Sequence, residues 1–67
     1  MAHLPKKGEG IQCVSAKHES VFTVGCFYQV ERVDRKINHV YVYDDNGDLT
    51  AIDFPHDVVY GKFDNVT

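Results

Sequence analysis

Apolar and polar residues alternate along residues 27–33, where the apolar Tyr28 and Val30 are each followed by a polar residue, Gln29 and Glu31. Alternation with a period of two is typical of a β-strand that buries one face. The pattern therefore predicts a strand in this segment, with Tyr28 and Val30 directed toward a core.

Residues 37–43 form a run with apolar side chains on both faces, and an acidic turn separates them from a second β-rich run at residues 48–53. β-branched and aromatic residues favour pleated strands. The sequence Asn46-Gly47 tolerates the positive φ that a tight reversal requires. The two runs are therefore predicted to form a β-hairpin, with Val40 and Val42 on its core side.

Three further segments complete the predicted fold. Residues 11–14 are predicted to be a first strand, and the long connection at residues 15–25 contains an apolar patch, 21–24, that needs cover. Residues 54–60 include a proline that lacks a ladder donor, so a single 3₁₀ or helical turn is predicted there. A short last strand is predicted at residues 61–66. No segment repeats its apolar residues with the period of an amphipathic helix.

The predicted core takes the apolar positions of the strongest strand runs. Leu49 is expected to join this core if the register of the hairpin turns its side chain inward. The other members are Val30, Val40, Val42 and Ile52.

The first ten residues are polar and contain three residues that interrupt regular structure, Pro5, Gly8 and Gly10. Residues 1–10 are therefore predicted to be a flexible N-terminal arm. At 67 residues the chain has the length of one domain, predicted at residues 11–67, with a small core and a thin margin of stability.

Composition narrows the classes of function. The formal net charge of −3 argues against a general nucleic-acid binder, because clustered Lys and Arg supply most of the affinity for phosphates. The amino terminus lacks the apolar centre of a secretion signal, and no apolar run approaches the length of a membrane span. The protein is therefore expected in the cytoplasm, with Cys13 and Cys26 reduced.

The predicted order of strands, connections and turns resembles an SH3-like barrel over residues 11–66. The segment Phe22–Val30 together with Asp44–Gly47 is similar to a class of very small bacteriophage and bacterial proteins with the pattern F-x-x-G-K-x-Y-x-V … D-D-x-G, although Cys26 replaces the lysine. The resemblance implies a five-stranded antiparallel barrel and a phage origin. That class has no shared activity to transfer, and the A-L-Y-D-Y run of proline-peptide-binding SH3 domains does not occur here.

Residue types that could support catalysis or metal binding occur without suitable spacing. Zinc sites usually contain closely spaced Cys or His pairs, and the candidate ligands here have no such pairs. The acidic hairpin turn does not align with a calcium-binding loop, because Val42 falls at the first ligand position. We therefore expect no cofactor, no metal and no enzymatic activity. The candidate zinc ligands are Cys13, His18, Cys26, His39 and His56.

The candidate binding residues are Tyr41, Tyr43, Arg32 and Arg35, because Tyr and Arg are enriched in interface hot spots. If Val40 points inward, the two tyrosines share an exposed strand face. The leading hypothesis is a non-enzymatic module that binds a protein, as a phage-encoded modulator of a host protein. The alternative is a nucleic-acid- or ribosome-associated small barrel that stacks bases on these aromatics. Homo-oligomerisation through strand edges also remains open.

Overall fold

The computed structural model describes residues 3–66, which form one antiparallel sheet of six strands. The sheet order is β4-β3-β2-β1-β6-β5. Within residues 3–66 there is no helix of the length and apolarity that crossing a membrane requires. The strands are β1 (Gly10–Ala16), β2 (Phe27–Asp34), β3 (His39–Tyr43), β4 (Leu49–Asp53), β5 (His56–Asp57) and β6 (Gly61–Asn65).

Strand β2 is shared between the two halves of the sheet. Its first residues pair with β1 and its later residues pair with β3, and the register shifts between Val30 and Arg32. The edge strands β4 and β5 are consecutive in the chain and are joined by Phe54 and the cis-linked Pro55. Since two residues span only about 7 Å, the sheet must curl to bring these two edges together, although it does not close.

The predicted all-β class is confirmed, but the start of the third strand, the 3₁₀ or helical turn and the number of strands differ from the prediction. The third strand begins at His39 and not at Ile37, because residues 35–38 form a turn in which Asn38 has a φ of 55°. Asparagine tolerates this left-handed conformation better than most residues. In place of the single 3₁₀ or helical turn predicted at residues 54–60, the chain forms strand β5 and a tight turn. The sheet therefore contains six strands where five were predicted.

The four strand residues that were predicted to be buried all lie in the core, which also contains residues outside that prediction. Tyr28 is buried as well, but Leu49 is exposed, because its register places it opposite Tyr43 on the outer face. Phe22, from the long connection between β1 and β2, is fully buried among the strands. The predicted core residues that the structure buries are Val30, Val40, Val42 and Ile52.

Part of the segment that was predicted to be a flexible arm packs on the sheet. Pro5 is fully buried, and the N–H of Gly8 donates a hydrogen bond of 2.8 Å to the carbonyl of Val30. The N–H of Val30 in turn donates to the carbonyl of Glu9. Strand β1 begins at Gly10, one residue before the predicted start.

Candidate functional site

The two candidate tyrosines lie on the outer face of β3. Val40 and Val42 are completely buried, so the alternation of side chains along the strand directs Tyr41 and Tyr43 outward. Tyr43 is 52% exposed and Tyr41 is half-buried. The predicted orientation of this strand is therefore confirmed.

The outer side chains of β2, β3 and β4 form three cross-strand rows. One end row joins Tyr43 to Leu49, and both side chains are 52% exposed. The middle row is Arg32, Tyr41 and Ala51, and the other end row is Asp34, His39 and Asp53. We call the surface formed by these three rows the tyrosine face.

Arg32 is already positioned on this face. Its guanidinium carbon lies 5.4 Å from the centre of the Tyr41 ring, which is the geometry of a cation–π contact. Arg35 instead lies in the exposed turn before β3, beyond the end of the strand that contains His39. The structure thus brings Arg32 together with the tyrosines and places Arg35 at the opposite end of the face from Tyr43.

His39 and Asp53 are in direct side-chain contact on the tyrosine face, a contact that the sequence analysis did not identify. The distance from Nε2 of His39 to Oδ1 of Asp53 is 2.7 Å. The two residues are directly opposite in the hairpin register. Counting outward from the Asn46-Gly47 turn could have found this pair, because each step along β3 is matched by one step along β4.

A buried carboxylate, that of Asp57, lies where β4 passes into β5. Its Oδ2 accepts a hydrogen bond of 2.8 Å from the N–H of Asp53, and its Oδ1 accepts from the N–H groups of Val59 and Tyr60. Burial raises the pKa of this carboxyl, but the three N–H donors and the nearby His39 outweigh it and hold the pKa below 3.8. Asp57 therefore fixes the turn after β5 as an anion.

The depressed pKa of Asp57 predicts an acid-dependent loss of stability. A carboxyl whose pKa is lower in the folded state stabilises the fold fully above its unfolded value of 3.8, and this contribution disappears as pH falls through the folded pKa. The variant Asp57→Asn replaces the carboxylate with an amide, whose oxygen is a weaker acceptor and whose N–H₂ group cannot accept from the three backbone donors. We expect this to lower the free energy of unfolding by about 1 to 3 kcal/mol at neutral pH. Urea unfolding between pH 2 and pH 7 measures both effects.

The matched control is Asp48→Asn, because Asp48 is exposed on the hairpin. We expect the control to follow the wild-type pH profile closely, whereas Asp57→Asn loses part of the dependence below pH 4. If the free energy of unfolding of Asp57→Asn changed with pH as steeply as that of the wild type, the stabilising role of the Asp57 carboxylate would be contradicted.

The acidic turn of the hairpin holds the long connection in place. Asp45 accepts hydrogen bonds from the hydroxyl of Tyr28 at 2.7 Å and from the hydroxyl of Thr23 at 2.6 Å. Its own N–H donates to the carbonyl of Val21. Burial, with the carboxylate of Asp45 adding to it, raises the pKa of Tyr28 to about 12, so this hydroxyl remains a donor. The carboxylate of Asp45 therefore joins two parts of the chain that are distant in sequence.

Asp44 stabilises the hairpin turn itself. Its Oδ1 accepts from the N–H groups of Asn46 and Asp48, and its Oδ2 accepts from the hydroxyl of Thr50. Burial raises the pKa of Asp44, but these donors outweigh it and lower the pKa overall. The acidic turn thus has a structural role, and among residues 3–66 no three His, Cys, Asp or Glu side chains converge as metal ligands.

The two cysteines lie on neighbouring segments but differ in environment. The N–H of Cys13 donates to the carbonyl of Cys26 at 3.0 Å. Cys13 is buried in the core and Cys26 is exposed, and both are free thiols. Burial raises the pKa of the Cys13 thiol, with the negative charge of Asp45 adding to the effect, so Cys13 is a poor nucleophile at neutral pH.

Comparisons of the chain with known protein families, with curated proteins and with solved structures found no match.

Proposed function

We propose that this protein is a non-enzymatic binding module that docks a protein partner on the tyrosine face. The observation that supports the proposal is the pair formed by Tyr43 and Leu49, two large apolar side chains that lie opposite each other on β3 and β4 and are each half exposed. Tyr41, with Arg32 over its ring, adjoins the pair. Aromatic and Arg anchors beside apolar area are typical of interface hot spots.

The charges on this face favour a protein over a nucleic acid. Asp34 and Asp53 flank His39 at one end of the face, and Glu31 lies beside Arg32 in β2. These carboxylates oppose a phosphate backbone, whose binding depends on clustered cations. The stacked Arg32 and Tyr41 still resemble a base-stacking platform, so nucleic-acid binding is the second candidate and is tested in the same experiment.

We also propose that the curled sheet is related to the SH3-like barrels. The support is that β2 contributes to both halves of the sheet, that β2, β3 and β4 follow one another as a meander, and that β1 pairs with β6. In this topology the tyrosine face lies on the three consecutive strands β2, β3 and β4. A role as a phage-encoded modulator in the host cytoplasm rests on the sequence resemblance alone.

Removing either tyrosine ring is expected to weaken partner binding while leaving the fold intact. We expect Tyr43→Ala or Tyr41→Ala to reduce the free energy of binding by about 1 to 3 kcal/mol, the typical contribution of an aromatic anchor. The measurement compares proteins recovered by immobilised wild-type and variant protein from the producing cells, before and after nuclease treatment. Circular dichroism verifies that each variant retains its sheet.

The control variant is Phe27→Ala, because Phe27 is 64% exposed but lies on the half of β2 that pairs with β1. Proteins that bind the tyrosine face should be recovered by the wild type and by Phe27→Ala and lost with Tyr43→Ala. Equal recovery by all variants would remove this face as the site. Recovery that disappears on nuclease treatment would favour the nucleic-acid alternative.

A further inference from the structure

Strand β4 is an edge of the sheet, and its hydrogen-bonding pattern shows which backbone groups face away from β3. The N–H of Asp44 donates to the carbonyl of Asp48, and the N–H of Phe54 donates to the carbonyl of Asn38. In an antiparallel pair, hydrogen-bonded and non-hydrogen-bonded residue pairs alternate. The even-numbered residues of β4 therefore bond to β3, and the odd-numbered residues direct their N–H and C=O groups toward the free edge.

One of these outward N–H groups is already used within the chain. The N–H of Asp53 donates to the carboxylate of Asp57, which covers that end of the strand. Leu49 and Ala51 remain with N–H and C=O groups directed outward on a side where the sheet order places no neighbouring strand among residues 3–66. The edge therefore offers four main-chain hydrogen-bonding groups at residues 49 and 51.

The charge around this edge determines the kind of strand that fits it. Residues 44–57 include five aspartates and no lysine or arginine. Three of the aspartates lie in the hairpin turn, Asp57 is buried, and Asp53 is the one in strand β4 itself. Asp53 lies on the tyrosine face at one end of β4, whereas the other end of the face is apolar, with Leu49 beside Tyr43. A complementary strand is therefore basic at one end and apolar at the other.

We propose that the edge of β4 binds an extended, basic segment of a partner protein as an added antiparallel strand. This inference rests on the proposed function, because the bound segment would lie along the tyrosine face. Main-chain hydrogen bonds to Leu49 and Ala51 supply affinity, and the alternate side chains supply specificity, as in other strand-addition complexes.

The register of the added strand follows from the geometry of an antiparallel pair. Opposite residues direct their side chains to the same face, so the residues opposite Asp53, Ala51 and Leu49 lie on the tyrosine face. Read from its amino terminus, the segment has a Lys or Arg opposite Asp53. A large apolar residue then lies over the small Ala51 and against Tyr41, and a second apolar residue packs against Leu49 and Tyr43. The spacing is basic-x-apolar-x-apolar.

The probe for this proposal is the synthetic peptide acetyl-Thr-Lys-Thr-Phe-Thr-Val-Thr-amide, titrated into ¹⁵N-labelled protein and followed by NMR. We expect saturable shifts and slowed hydrogen exchange at the amides of Leu49 and Ala51. A control peptide with Glu in place of Lys should bind at least about tenfold more weakly, because its carboxylate lies opposite the like charge of Asp53. The same shifts and slowed exchange should be seen when the peptide is added to the control variant Phe27→Ala.

The protein variant that tests the edge is Ala51→Pro. Proline is tolerated on an edge strand where the N–H faces solvent, so the variant removes an outward donor and leaves the bonds to β3. Ala51→Lys, which places a like charge beside the basic peptide and protects the edge, provides a second variant if the proline disturbs the sheet. Both variants should reduce peptide affinity by at least about tenfold.

The outcomes separate this inference from the proposed function. Unchanged peptide binding by Ala51→Pro and Ala51→Lys overturns strand addition but leaves the tyrosine face as a site. If the wild type does not bind the peptide up to about 1 mM, while Tyr43→Ala still loses the partner, strand addition is likewise overturned and the tyrosine face remains a site. Capture unaffected by Tyr43→Ala overturns the proposed function itself. A further outcome is that the wild type forms a dimer in solution that Ala51→Pro converts to a monomer. In that case a second copy of the chain occupies the edge of β4, and the proposal of a basic partner segment is overturned.

Discussion

Gly61→Ala is expected to prevent the domain from folding. Gly61 has a φ of 123°, a backbone conformation that residues with a Cβ rarely adopt. A Cβ at this position would overlap the carbonyl oxygen of Ser15 and would lie 3.1 Å from the Cα of Ala16. Both contacts are with the backbone of β1, so relief would require separating β1 from β6.

The expected cost of Gly61→Ala is about 4 kcal/mol or more, which places it among the largest effects of single substitutions. A domain of this size has only about 3 to 5 kcal/mol of stability from its core. Circular dichroism and the dispersion of NMR amide signals should therefore show an unfolded chain at 25 °C.

The matched control is Gly25→Ala. Gly25 has a φ of 90°, but nothing lies within 4 Å of the Cβ that the substitution would add. The control thus measures the cost of the backbone conformation alone, about 1 to 2 kcal/mol, and should remain folded. A folded Gly61→Ala with the stability of this control would show that β1 and β6 are less closely packed than the structure describes.

Phe22→Ala is the second substitution with a large expected effect. Phe22 is completely buried, and its ring meets three aromatic rings edge-to-face at centroid distances of 5.1 to 5.4 Å. Truncating a buried Phe to Ala usually costs about 3 to 5 kcal/mol through lost apolar transfer and a residual cavity. This loss equals most of the stability of the domain. The three partners are Tyr28, Tyr60 and Phe63.

Urea unfolding followed by tyrosine fluorescence measures this effect. Phe22→Leu, which retains most of the apolar volume, should fall between the wild type and Phe22→Ala. Phe27→Ala serves as the exposed control and should change the free energy of unfolding by less than about 0.5 kcal/mol. A small loss in Phe22→Ala, similar to that of Phe27→Ala, would mean that the connection between β1 and β2 can leave the core at little cost.

The parts of the fold that sequence predicts well are those with a strong local pattern. The alternation around Val30 and the turn at Asn46-Gly47 predict β2, β3 and β4 because side-chain period and turn chemistry are local properties. The same alternation predicts the outward direction of Tyr41 and Tyr43, since a one-residue shift would expose Val40 and Val42. This is why the outward direction of the two tyrosines could be inferred from the sequence, whereas the place of Leu49 beside Tyr43 depends on the hairpin register.

The parts that sequence does not predict depend on contacts between distant residues. The strand at His56 and Asp57 is only two residues long, and the turn after it is held by one buried carboxylate whose partners are backbone groups. Composition does not reveal such partners. Phe22 belongs to an apolar patch that needed cover, but its place among three aromatic rings follows only from the packing of β2, β6 and the turn before β6 around it.

The pairing of β1 with β6 has a consequence for the order of assembly. These strands lie near opposite ends of the described chain, whereas β2, β3 and β4 are consecutive. Closing a longer loop costs more conformational entropy, and long-range pairings form slowly. The meander should therefore gain protection first during refolding, and β6 should dock last. Amide exchange during refolding reports this order, and until β6 arrives the edge of β1 is exposed to pairing with other chains.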